Sequence, residues 1–142
     1  MRKTILLPIL LVFGITTTLS AQQMRKERIR AFRAAVFVEE LQLTEQESAD
    51  FFPVYNAFDQ EQEELKKELR KARRNIELVA DEDVKTHIER MFEVEEQQIE
   101  LKRKYFDRFM EVLPVRKVLR IHKAEQEFRK LLLEKLKERR GN

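Results

Sequence analysis

Cysteine and tryptophan are absent from this 142-residue chain, glycine occurs twice and proline three times. Without cysteine there is no disulfide framework, no thiolate metal site and no acceptor for a lipoprotein anchor. With so little glycine and proline the punctuation of hairpins and β-turns is nearly missing, which argues against a sheet protein. Beyond the N-terminal segment Ser48 is the only serine, and His87 and His122 are the only imidazoles. Nucleophilic catalysis would therefore need one hydroxyl with a base and an orienting acid brought to it. No glycine-rich phosphate loop is present, and carboxylates at helical spacing are ordinary ion-pair partners. The chain is expected not to be an enzyme and to need no cofactor or bound metal.

What is present is charge. Lys and Arg number 29, Asp and Glu 26, and charged residues make up 39% of the chain. That composition goes with long helices in hairpins and coiled-coil-like packing, at a length suited to one modest domain.

Only one long apolar run occurs. Arg2 and Lys3 precede Thr4 to about Leu19, which ends in the small residues Ser20 and Ala21. A charged start, an apolar middle and a small-residue exit read as a secretory signal peptide over 1–21, leaving 22–142 as a single helical domain. An uncleaved anchor is the alternative, although Thr16, Thr17 and Thr18 dilute a run already short for a span. Export into an oxidising space suits a cysteine-free chain, and the periplasm is the expected location. Removing Arg2 and Lys3 leaves 27 basic against 26 acidic residues, so the basic character of the full chain is mostly the address.

Four helices are predicted. Met24 to Leu41 carries Ile29, Phe32, Val36 and Phe37 on one face, with Arg25, Lys26, Arg28, Arg30 and Arg33 in its first half. Thr44 and Glu47 form a capping box that starts the second helix, which is expected to reach about Val79. From Phe51 the positions 51, 55, 58, 62, 65, 69, 72, 76 and 79 step by four and three as a heptad seam. Pro53 predicts a kink near Ser48 to Phe52 rather than a break. Asp81 is the expected N-cap of a third helix ending at Leu113, with Val84, Ile88, Met91, Ile99, Phe106, Phe109 and Leu113 as its buried stripe. Pro114 suits the first turn of a fourth helix burying Val118, Ile121, Phe128, Leu132 and Leu136. The expected fold is thus all-α, with a long antiparallel central hairpin flanked by terminal helices.

Such a hairpin is too thin to cover both its faces, so the terminal helices or a second copy of the chain must do so. Its middle looks thinly cored, because Glu61 to Glu64 should face Glu95 to Gln98. Charge also sorts by helix. The first helix and the tail are basic, the hairpin acidic. Either the ends dock on the hairpin and the charges complement one another, or a basic surface stays open to acidic and amphipathic partners. Nucleic acid is not an expected partner, given a nearly neutral mature chain and an export signal. Weak contact of the first helix with a membrane surface is a rival, since its pattern also fits an interfacial helix. A metal-sensing role would rest on His87 or His122 alone.

Leu41-Gln42-Leu43-Thr44-Glu45-Gln46-Glu47, followed by Phe51-Phe52-Pro53-Val54-Tyr55, resembles the LTxxQ region of the Spy and CpxP group of small periplasmic helical proteins. Within it the likeness is to the branch described as sensors of extracytoplasmic-function sigma factors. Val112-Leu113-Pro114-Val115-Arg116-Lys117-Val118 and Ala124-Glu125-Gln126-Glu127-Phe128 are similar to that branch's later segment. Leu43, Thr44 and Glu47 stand at the motif, with Glu47 where the group has Gln. The resemblance implies a four-helix, cradle-shaped and commonly dimeric protein. Its relatives hold unfolded envelope proteins without ATP or report envelope stress to a signalling partner. Arg28, Phe32, Arg33, Phe52 and Tyr55 are the expected contact residues.

Overall fold

Four long helices follow one another with almost nothing between them, as the scarcity of chain breakers dictates. A computed structural model describes residues 7–74 and 76–141, and Arg2 and Lys3 of the expected export signal lie outside the described residues. The order is α1 (Leu7–Leu41), α2 (Glu45–Arg74), two single-turn 3-10 helices (Ile76–Leu78 and Asp81–Asp83), α3 (Val84–Val112) and α4 (Val115–Gly141). The fold is all-α, with no strand among the described residues. Nor is any described helix long and apolar enough to cross a membrane.

Each break has a local cause. Gln42 adopts φ 52°, the only non-glycine residue with positive φ among those described, and that left-handed step ends α1. It lets Leu41 and Leu43, on either side, both turn into the core. The capping box then starts α2: Glu47 N–H donates to Thr44 Oγ1 at 3.1 Å, and Thr44 N–H donates to Glu47 Oε2 at 2.8 Å. At the other junction Pro114 holds the preceding Leu113 extended, at φ −134° and ψ 149°, and so stops α3. Leu113 N–H caps α3 by donating to the Phe109 carbonyl at 2.9 Å. α4 begins one residue later than expected, with the Pro114 carbonyl accepting from Lys117 and Val118.

Three expectations need correction. α2 ends at Arg74, not Val79, and Ile76 on the predicted seam is exposed. Lys71, Arg73 and Arg74 fill its last turn, where cations complement the carbonyl end of the dipole. Asp81 is not the cap of α3 but lies within a 3-10 turn, and Asp83 at the cap position makes no side-chain cap bond. The buried stripe of α3 is also different. Phe109 and Leu113 are buried as expected, but Val94, Leu101 and Tyr105 complete the stripe, whereas Val84, Ile88 and Ile99 are exposed. The seam facing α2 runs through Gln98 and begins later, because the first turns of α3 lie against the polar end of α2. Pro53 sits inside α2 without interrupting it, on the solvent side, where water can serve the carbonyl it leaves unpaired.

The described residues group into two compact units: α1 up to Glu40 with α4 from Lys123 onward, and Leu41–His122. The second unit contains the predicted antiparallel hairpin of α2 and α3, about 45 Å long at ~1.5 Å per residue. Its core is aromatic. Phe51, Tyr55 and Phe58 of α2 interleave with Tyr105 and Phe109 of α3, with ring centroids 5.3–6.1 Å apart across the two helices. Toward the far end Leu69, Val94 and Leu101 carry the core onward, but no residue between Phe58 and Leu69 or between Val94 and Leu101 is buried, so the middle is thinly cored as the sequence suggests. The carboxylates, however, do not face each other there. Glu61 accepts from Tyr105 Oη at 2.5 Å and lies 3.4 Å from Lys104 Nζ, Glu95 meets Arg73 at 3.1 Å, and Glu68 pairs with Arg90. These surface pairs set register more than they stabilise.

Candidate functional site

In the first unit α1 and α4 are joined by a few specific contacts. The rings of Phe32 and Phe128 lie 5.8 Å apart, Arg33 stacks its guanidinium over Phe128 at 5.0 Å, and Lys123 bridges Glu40 at 3.1 Å. Val36, Phe37, Ala124 and Phe128 are buried. Toward Ala21 and Arg140 the apolar stripes of both helices go on, but the helices no longer close over them. An open groove of about 880 Å³ results.

Its walls divide by chemistry. Met24, Ile29 and Phe32 from α1 and Leu132 and Leu136 from α4 make an apolar floor. Arg25 and Arg28 on one helix and Lys135, Arg139 and Arg140 on the other supply the cations, and no carboxylate lines the groove. Lys135 Nζ lies 3.9 Å from the centroid of the Phe32 ring, so one cation is held against the apolar floor by the ring face. The long stems of Arg and Lys lie along apolar surface while their heads stay in water. The groove can therefore hold an apolar side chain below and attract an anion above.

Of the expected contact residues, Arg28 and Phe32 line this groove and Arg33 stacks beside it. Phe52 and Tyr55 belong to the other unit. Tyr55 is 4% exposed within the aromatic core, and this removes it as a contact residue. Its position on the heptad seam already marks it for packing. Phe52 is half-buried, with its ring 5.4 Å from Phe51. The α4 wall was not among the expected contact residues. Leu132 and Leu136 read as core, and the Lys135 to Arg140 run belongs to the basic tail that the sequence offers as an open surface for acidic partners. Their spacing of three and four along one face was the signal.

Thr44 and Glu47 lie in a structural knot, with Leu43 buried beside them. Lys117 of α4 donates from Nζ to Glu47 Oε2 at 2.6 Å and to the Gln42 carbonyl at 2.7 Å. One lysine thus ties down the left-handed residue that ends α1 and the carboxylate that caps α2. Lys117 first, with the Thr44 backbone, holds the Glu47 carboxyl below its ordinary value. Donation from Tyr105, with Lys104 nearby, does the same to Glu61, while burial pushes the Tyr105 phenol up.

Glu47 predicts an acid response with a definite sign. A carboxyl depressed by folding is protonated first in the unfolded chain, so its stabilisation is complete above the ordinary carboxylate range. It is lost as pH falls through the lowered Glu47 value. Urea midpoints measured from neutral to about pH 3 should fall less steeply in Lys117→Met than in the parent. Equal slopes would show that the pair contributes nothing.

His87 Nε2 donates to the Ala72 carbonyl at 2.9 Å, across the hairpin. Among the described residues no group of three His, Cys, Asp or Glu side chains could hold a metal ion. Compared with protein-family models, characterised proteins and solved structures, the chain matches none.

Proposed function

We propose that this protein is a non-enzymatic binding protein of the cell envelope that holds acidic, amphipathic stretches of other proteins without ATP. The observation that carries the reading is the α1–α4 groove, with an apolar floor, five cations and no carboxylate. Cations draw an acidic segment in at long range, and a small apolar floor retains it without irreversible burial. Unfolded envelope proteins expose such segments, which makes an ATP-independent holdase the leading form of the proposal. The resemblance to the Spy and CpxP group supports the same role, and also a variant in which one signalling protein of the sigma-factor system is the occupant. Cleavage near Ser20 or Ala21 leaves every other lining residue in place, so export and the groove are compatible.

A light-scattering assay with a chemically denatured client tests it. The purified protein in several-fold excess should suppress aggregation, and Arg28→Glu with Arg139→Glu should abolish most of that protection while helicity is unchanged. Phe32→Ala should weaken retention of the client more than its initial capture. No protection by the parent protein, or full protection by the charge-reversed variant, would end the holdase reading. Sedimentation with anionic liposomes separates the rival membrane role. Binding to lipid with no effect on client aggregation would transfer the groove to a membrane surface.

A further inference from the structure

The groove between α1 and α4 has a direction. Glu40 meets Lys123 at 3.1 Å, the rings of Phe32 and Phe128 lie 5.8 Å apart, and the lining ends at Ala21 and Arg140, so the two helices run antiparallel and part toward their outer ends. The closed end is apolar, with Phe32 and Leu132 half-buried and Phe128 buried against Phe32. Arg25, Arg139 and Arg140 stand toward the mouth, all exposed. Apolar depth at one end and cations at the other is the complement of a molecule with a hydrocarbon tail and an anionic head.

The hydrogen-bonding character of the lining narrows the ligand further. Arginine and lysine side chains donate and never accept, and Met24, Ile29 and Leu136 offer no strong acceptor. A sugar or an extended peptide would bury N–H or O–H donors there unpaired, whereas a helical segment satisfies its own. An ionised carboxylate or phosphate head only accepts, and an arginine fork meets it with two bonds at once. Size agrees, since a volume of about 880 Å³ is that of a small-molecule site. From Ala21 to Phe32 the groove is about 16 Å long at ~1.5 Å per residue, a length that an alkyl chain of about twelve carbons fills at ~1.3 Å per carbon.

We propose that this groove binds one single-chain anionic amphiphile, a free fatty acid or alkyl phosphate, taken from solution as a monomer. Its tail lies against Phe32 and Leu132 and its head at Arg25, Arg139 and Arg140. Arg28 and Lys135, between the two ends, make the same path unfavourable for a cationic amphiphile. The inference goes beyond the client-holding role and does not need it, because ligand and client share only the groove.

Isothermal titration with dodecanoate below its micelle concentration, in low-salt buffer, tests it. One dodecanoate per chain should bind saturably in the micromolar range. Affinity should rise about two- to threefold per added carbon from octanoate to dodecanoate, because an open groove covers each methylene only in part, and should level off by tetradecanoate. Dodecyltrimethylammonium, with the same tail and the opposite charge, should bind about tenfold or more weakly. Arg28→Glu with Arg139→Glu should weaken dodecanoate about tenfold or more, and Phe32→Ala should flatten the chain-length series. Circular dichroism checks that each variant remains helical, and Arg25→Gln with Arg139→Gln, at exposed positions, gives a second loss of affinity where charge reversal disturbs the helix pair. No saturable binding, equal affinity for the cationic amphiphile, or a folded charge variant that binds as the parent does would overturn the proposal. So would an affinity that keeps rising past tetradecanoate, or binding to anionic phosphatidylglycerol vesicles with none to monomeric dodecanoate. A protein that protects no client yet binds dodecanoate in this way loses the holdase role and keeps this ligand.

Discussion

Phe109→Ala is expected to cost about 3–5 kcal/mol of unfolding free energy. Phe109 is fully buried, and its ring lies within 5.4–6.2 Å of Phe51, Tyr55, Phe58, Tyr105 and Phe106. Truncation removes the transfer free energy of the ring and leaves a void between two rigid helices, which cannot collapse without breaking the 3-4 spacing of their seams. Domain stabilities are only about 5–15 kcal/mol, so this one change should take a large share of the total. Urea unfolding followed by circular dichroism measures it. Leu119→Ala, at a position 73% exposed, is the control and should stay within about 0.5 kcal/mol of the parent. A loss below about 1 kcal/mol for Phe109→Ala would mean that the aromatic cluster is not the centre of the fold.

That cluster was half legible in the sequence. On α2 the positions 51, 55 and 58 step cleanly, and all three residues are buried. On α3 two apolar rows share one helix, and periodicity alone cannot say which faces the partner. Of the expected stripe Phe109 and Leu113 are buried, while Ile88 and Ile99 give way to Val94 and Tyr105. Tyr105 decides the matter physically, because its hydroxyl finds Glu61 at 2.5 Å while the ring stays buried. A tyrosine is a good core residue when its polar tip has a carboxylate within reach. The capping box and the stop before Pro114 were readable because they depend on neighbours in the chain. The groove was not, since it needs Arg28 and Phe32 beside Lys135 and Leu136, more than a hundred residues later.

The charge sorting takes on a definite form in three dimensions. The basic ends supply the cations of one groove within the first unit. The acidic hairpin is not uniformly acidic, since its carboxylates are spent pairwise on Arg73, Arg90 and Lys104. Along α3 the two signs interleave, with Lys85 and Arg90 among the acids before Ile99 and Glu100, Asp107 and Glu111 among the bases after it. Net charge near zero thus conceals a cationic groove in one unit beside carboxylates paired across the hairpin of the other.

Gln98→Leu tests the reverse case, a polar side chain in a row that should be apolar. Gln98 stands between Val94 and Leu101 on the α2-facing seam of α3, and its Nε2 is buried with no hydrogen-bond partner among the described residues. A buried amide donor left unpaired costs about 1–3 kcal/mol, and leucine has nearly the same length without that donor. The substitution is expected to raise the unfolding free energy by about 1–2 kcal/mol, through relief of the unpaired amide and added apolar burial beside Leu101. The gain should show as a higher urea midpoint with an unchanged slope, because the surface exposed on unfolding scarcely changes. Polar seam residues also fix register, so the same variant should exchange its α3 amide hydrogens less uniformly if the two helices begin to slide. A lower midpoint would show that the Gln98 amide has found a partner worth more than a leucine side chain, and would make this position the register pin of the hairpin.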